Sequence, residues 1–158
     1  MDTSTYRSEL LFIGTGAADW VEPVQSGEYR GYSSLFIDHH ILVDCSRTAP
    51  IRMREYGIEW DQVSDILITH SHRDHFDEEA ILQLAEARRQ SGKTKLRVHV
   101  EKSWASSVKS DSFLVNPLEA ENKIQVGDYE ILPLASNHMG IYDHEITLHY
   151  LFSKKNTC

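Results

Sequence analysis

Apolar positions along this chain fall into short runs separated by polar or glycine-bearing segments. Residues 9–13 read as a strand that runs into Gly14-Thr15-Gly16. Residues 17–32 contain Pro23, Gly27 and Gly31 and read as a long loop. Residues 33–38 and 40–44 form two further apolar stretches. Asp38-His39 between them predicts a tight hairpin, although the usual Asn-Gly pair is missing. Pro50 suits the first turn of a helix over 51–56, and Gly57 suits its stop. Asp65-Ile66-Leu67-Ile68-Thr69 reads as a short buried strand.

Asp77 is placed to cap the next helix, with Glu78 and Glu79 at its positive end. Ala80, Ile81, Leu84 and Ala85 share one face of that helix. Arg88 and Arg89 suit its C-terminal end, and Gly92 ends it. Residues 96–100 predict a strand. Residues 103–110 predict a short helix anchored by Trp104. Residues 124–126 and 129–134 predict a hairpin around Gly127-Asp128, and residues 146–152 a final strand. Strands followed by crossing helices indicate an α/β layered fold. With no repeat and no interdomain linker, residues 1–158 are expected to form a single domain.

Composition narrows the function classes. Apolar residues at 41% and charged residues at 25% are ordinary for a globular chain. A net charge of −8 argues against a general nucleic-acid surface. Cys45 and Cys158 make neither a disulfide framework nor a Cys-x-x-Cys site. A reducing compartment, and so a cytoplasmic location, is expected. The N-terminal residues show no apolar signal core, and no apolar run approaches the roughly 20 residues needed to span a bilayer.

The chemistry concentrates in Thr69-His70-Ser71-His72-Arg73-Asp74-His75. Three imidazoles and a carboxylate this close make a good metal cage. The cluster follows an apolar strand, and open α/β sheets place their ligands at the carboxyl ends of strands. Alternation puts His70 and His72 on one side of an extended segment, while Asp74 and His75 follow after the chain turns. One loop can thus serve two neighbouring metals.

On this motif the chain resembles the metallo-β-lactamase superfamily. The element order is also similar: an opening strand with Gly-Thr-Gly, a hairpin ending in Leu42-Val43-Asp44, a short helix, then the metal strand. A single histidine after a strand follows about sixty residues later, as His138 in Ser136-Asn137-His138. The resemblance covers roughly residues 9–152. It implies a metallo-β-lactamase-like αββα sandwich. It further implies that His70, His72 and His138 hold a first metal and that Asp74 and His75 contribute to a second. Asp74 would also orient or deprotonate the nucleophile. Asp44 would orient a ligand imidazole through its other ring nitrogen. Two divalent ions are implied, zinc first, with manganese or iron also fitting these ligands.

Leu11-Phe12-Ile13-Gly14-Thr15-Gly16 and the Ser33-Ser34 pair are similar to the branch of phosphoribosyl cyclic phosphodiesterases and tRNA 3′-processing nucleases. The nucleases carry a Gly-Glu-Gly-Thr-like segment after the hairpin, where this chain has Cys45-Ser46-Arg47-Thr48. That difference and the acidic balance favour a small phosphodiester over tRNA. The expected function is metal-dependent hydrolysis by a metal-activated hydroxide. The alternatives are lactone or thioester hydrolysis by the same fold, and a non-catalytic metal-binding half-domain.

Family members take a bridging aspartate and a last histidine from a second half, which no residue here matches. The chain is therefore expected to be C-terminally truncated and to hold the N-terminal half plus a little more. Completion by another chain and a reduced single-metal site are the competing explanations. Asp143-His144 are weighed as substitute ligands, and an exposed half-sandwich is expected to favour self-association. His39 and His40 are read as solvated turn residues, and His99 and His149 as structural. Cys45 is read as a buried small hydrophobe.

Overall fold

The computed structural model of the chain describes residues 8–16 and 30–154. Its first three strands are the short apolar runs near the N-terminus. β1 (Leu10–Gly14) pairs antiparallel with β2 (Ser34–Ile37), and β2 with β3 (Ile41–Val43). The β2–β3 turn holds Asp38 at φ 43° and His39 at φ 61°. Two left-handed residues give the turn the twist that a two-residue hairpin needs, here without Asn-Gly.

β4 (Asp65–Leu67), β5 (Arg97–Glu101) and β6 (Leu114–Leu118) continue the sheet in parallel, so the six strands lie in chain order. β7 (Ile124–Val126), β8 (Tyr129–Ala135) and β9 (Leu148–Lys154) form a second, antiparallel sheet. The crossovers carry α1 (Ala49–Glu55), α2 (Glu78–Gln90) and α3 (Lys102–Ala105), with a 3-10 turn at Trp60–Gln62. Asp77 caps α2 by accepting the Ala80 N–H at 2.9 Å.

Two cores sandwich the large sheet. On its outer face Ile13, Phe36, Leu42, Ile66 and Val98 pack against Met53, Ile81 and Leu84 of the helices. On its inner face Ile37, Ile41, Leu67 and Leu118 meet Val126, Tyr129, Ile131 and Leu148 of the small sheet. β4 is buried throughout because both its faces are covered, which is why it reads as a continuous apolar run. The layers among the described residues are helices, large sheet, small sheet. That matches the expected half-sandwich, and the fourth, helical layer of a full αββα sandwich is not among them.

Several boundaries differ from expectation. The strand over 65–69 closes at Leu67, because the Thr69 backbone turns to Asp44. The helix over 103–110 is a single turn, capped by Glu101, whose carboxylate accepts the Ser103 N–H at 2.6 Å. β6 was not expected, since Asn116 and Pro117 disfavour strands. It forms at the edge of the sheet, where a missing N–H leaves no ladder bond broken.

The long loop expected over 17–32 lies outside the described residues except at its end. There Gly31 and Tyr32 run beside Gly14 and Gly16. A Cβ on Gly14 would sit 1.8 Å from the Tyr32 carbonyl oxygen, so Gly-Thr-Gly serves close backbone packing rather than a nucleotide.

His39 is exposed, as expected. His40 is instead partly buried, with its ring against Gly127 of the β7–β8 turn. His99 is structural: with Arg97 and Ser64 it surrounds the buried Asp65 carboxylate. No helix among the described residues is long and apolar enough to cross a membrane.

Candidate metal centre

The site forms where the carboxyl end of β4 meets the β8–β9 connection. Asp44 follows β3 in a left-handed conformation, φ 60°, which an aspartate tolerates better than most residues. Its carboxylate accepts the Thr69 N–H at 2.8 Å and the Thr69 hydroxyl at 2.9 Å. It also accepts the His75 Nδ1–H at 2.7 Å. The Thr69 oxygen in turn lies 2.9 Å from His70 Nδ1. With the Thr69 proton given to Asp44, His70 must donate from Nδ1. Asp44 therefore sets the tautomer of His75 directly and that of His70 through Thr69. His70 is left with Nε2 free, the form a metal-binding imidazole needs, while His75 turns its Nε2 toward Asp74.

His70, His72 and His138 converge, with one ligand atom of each within 4.8 Å of the others. His72 Nδ1 and His138 Nε2 face each other at 3.3 Å. Two nitrogens on a tetrahedral ion with bonds of about 2.0–2.1 Å would be about 3.3 Å apart. Burial, joined by the neighbouring imidazoles of His75, His138 and His72, pulls the His70 pKa down to about 3. His70 is thus neutral at physiological pH, with a lone pair to give. The donor set fits a divalent cation.

Asp74 and His75 form a pair beside this group, His75 Nε2 lying 3.1 Å from Asp74 Oδ2. The His75 and His70 rings are 4.1 Å apart. Burial lowers the His75 pKa, but Asp44 and Asp74 outweigh it and raise it overall. Burial also raises the Asp44 pKa, against the pull of His75 and Thr69. A cavity of about 340 Å³ opens here, lined by His70, His75, His138, Thr69, Asp44 and His149. A larger cleft of about 490 Å³, lined by Arg54, Trp60, Asp61 and Gln90, lies on the helical face, away from these ligands.

Asp143 and His144, weighed as substitute ligands, are exposed and do not join the three-imidazole group. The Ser33 hydroxyl is spent on the Gly16 carbonyl at 3.2 Å, and that of Ser34 on the Asp44 carbonyl at 2.7 Å. Cys45 is fully buried, and burial, then Asp77 and Asp44, push its thiol pKa far up, as suits an inert core residue. Cys158 lies outside the described residues.

The model of the anti-Pycsar protein Apyc1 family matches residues 8–149. The chain belongs to the anti-Pycsar protein Apyc1 family. An Apyc1 of Bacillus phage 010DV004 is 30% identical over 70 residues, 44% of this chain and 26% of that protein. A ribonuclease Z of Methanopyrus kandleri is 28% identical over 136 residues, 82% of this chain and 46% of the enzyme. A ribonuclease Z of Mycobacterium sp. strain KMS is 38% identical over 69 residues, 42% of this chain and 22% of the enzyme. The matched stretches thus span less than half of these curated relatives.

Among solved structures, the metallo-β-lactamase fold protein YhfI of Bacillus subtilis superposes with a TM-score of 0.70 at 14% identity, over 92% of this chain and 57% of that one. A diphosphatase of the PhnP family gives 0.67 at 16% identity, over 92% and 61%. This Apyc1-family chain has the metallo-β-lactamase fold, covering part of the length of the longer proteins that share it.

Sequence reasoning missed Thr69, Ser71, Glu145 and Thr147. Ser71 donates its N–H to Glu145 at 2.7 Å, and its hydroxyl also donates to that carboxylate. Thr147 donates its hydroxyl to the His138 carbonyl at 2.9 Å. Thr69 and Ser71 sit inside the motif and could be suspected from that alone. Glu145 carries no local signal.

Proposed function

We propose that this chain carries the metal centre of a hydrolase acting on a small phosphodiester. The convergence of three imidazoles, with Asp74 and His75 beside them, carries the reading. His70, His72 and His138 would hold one divalent cation, zinc by ligand type. Asp74 and His75 would contribute to a second, completed by donors beyond this set. A cation held there supplies Lewis acidity toward a phosphoryl oxygen and makes water more acidic.

The chain's own part is to keep His70 and His75 in the right tautomers through Asp44 and Thr69. Asp74 would orient the attacking water and accept its proton. The net charge of −8 supports a small substrate over a polynucleotide. We place the protein in the cytoplasm on its sparing use of cysteine. We further propose that more chain continues the sandwich, because Leu10 and Phe12 on the inner face of β1 are 56% and 61% exposed.

The test is turnover of bis(4-nitrophenyl) phosphate by full-length, metal-loaded protein. His72→Ala is expected to lower it by at least about a hundredfold while the circular dichroism is unchanged. Metal binding without hydrolysis of phosphodiester, thioester or lactone panels would instead mean a metal-binding module. Turnover of thioesters or lactones alone would replace the substrate class.

A further inference from the structure

The ligands of the candidate site come from two segments with no chain continuity. His70 and His72 follow β4, and His138 lies in the β8–β9 connection. Something must set the third imidazole against the first two. Backbone pairing holds only the ends of the connection: Leu148 donates its N–H to the Thr69 carbonyl at 2.8 Å, and Ser136 its N–H to the Thr147 carbonyl at 2.8 Å.

The middle is held by Glu145, seven residues beyond His138. Its carboxylate accepts both the N–H and the hydroxyl of Ser71, the residue between the two ligands His70 and His72. The Ser71 oxygen then accepts the Ile141 N–H at 2.9 Å. Ser71 is 4% exposed, so its N–H has little access to water and depends on this partner. Tyr142 adds its N–H to the same carboxylate at 3.3 Å. The loop therefore closes on itself through Thr147, which donates its hydroxyl to the His138 carbonyl, and is tied to the ligand-bearing turn through Glu145.

The loop sequence accommodates this carboxylate at a second position. A Cβ on Gly140 would lie 1.9 Å from Glu145 Oε2 and 2.0 Å from its Cδ. Glycine at 140 leaves the space the carboxylate occupies. Any other residue there would push the carboxylate off Ser71.

We propose that Glu145 is a positioning residue of the metal centre, tying the His138 loop to the His70-Ser71-His72 turn so that the three imidazoles stand ready for one ion. This rests on the metal-site reading. Glu145 would touch neither ion nor substrate.

The experiment titrates the purified full chain with cobalt(II), reading the visible absorption of the bound ion and its dissociation constant. Melting of the metal-free protein is read alongside. Glu145→Ala and Gly140→Ala are expected to weaken binding about 10- to 100-fold and alter the absorption band. Glu145→Gln, which still accepts the Ser71 N–H, is expected to restore affinity to within a few-fold. If Glu145→Ala does not fold, Gly140→Ala carries the test, since it leaves every hydrogen-bonding group of the loop in the chain.

Wild-type affinity and spectrum in both alanine variants would overturn the clamp and leave the metal site standing. The same holds if affinity falls only in step with the metal-free melting temperature. No cobalt spectrum in the unmodified chain would overturn the metal reading, and the clamp with it.

Discussion

At the residue scale, the most consequential choices are acids placed where water does not reach. Asp44 does at the site what Asp65 does in the core: each gathers several donors and so fixes the groups around it. Asp65 accepts from His99 Nε2 at 2.8 Å, from Arg97 Nε at 2.7 Å and from the Ser64 hydroxyl at 2.8 Å. Burial raises its pKa, but these three donors outweigh it and hold the carboxyl well below the ordinary range. A carboxyl depressed in the folded state binds fewer protons than in the unfolded chain. Its contribution to stability is therefore complete above the unfolded value of about 4 and lost as pH falls further. Asp65→Asn is expected to cost about 1.5–3 kcal/mol, because it leaves Arg97 and His99 against a neutral group while Arg97 keeps access to solvent. It should also flatten the loss of stability below about pH 4. Urea midpoints measured from pH 2.5 to 7 check both, and a variant with the wild-type acid slope would refute the assignment. Only the structural role of His99 was legible beforehand; its acid partner lies 34 residues away.

At the element scale, local signals served best where an element is made by its own residues. Asp77, the two glutamates after it and Gly92 bound α2 as expected, because caps and dipole charges act within one turn. The β2–β3 hairpin was legible from its length, although its turn residues are poor for the purpose. His39 at φ 61° pays the cost of a left-handed backbone, and its ion pair with Glu9 is too exposed to repay much. His39→Gly should therefore raise stability by about 1 kcal/mol. That corresponds to about 2–4 °C in calorimetric melting for a chain of this size. A fall in melting temperature would mean that the Glu9 pair or the ring contact with Phe36 outweighs the strain. β6 escaped prediction for the opposite reason: Asn116 and Pro117 make a strand only because β5 offers an edge to pair with.

At the scale of the whole molecule, the candidate site is a join between two sheets. Its imidazoles come from the turn after β4 in the large sheet and from the β8–β9 connection in the small one. A bound cation would fasten the sheets together as well as provide chemistry. Zinc at about a hundred times its dissociation constant should stabilise the fold by about 2.7 kcal/mol. The melting temperature of zinc-loaded protein should then exceed that of chelator-stripped protein by about 5–10 °C. Equal melting with and without zinc would mean that the two segments do not share an ion.

The sequence by itself determined the α/β layering, the strand that delivers the motif and the identity of His70, His72, Asp74, His75 and His138 as ligand candidates. The layering follows from periodicity, and the first four candidates from ligand chemistry at the spacing of one short motif; His138 was singled out only through the resemblance to the metallo-β-lactamase superfamily. The tertiary structure decided which imidazoles converge, and that Asp44 reaches His75 directly and His70 by way of Thr69. It also decided that Glu145 meets Ser71, 74 positions earlier in the chain. A hydrogen bond of that span leaves no periodic trace. It exists only because the parallel crossovers of the large sheet and the hairpin of the small one bring the two loops to the same edge of the sandwich.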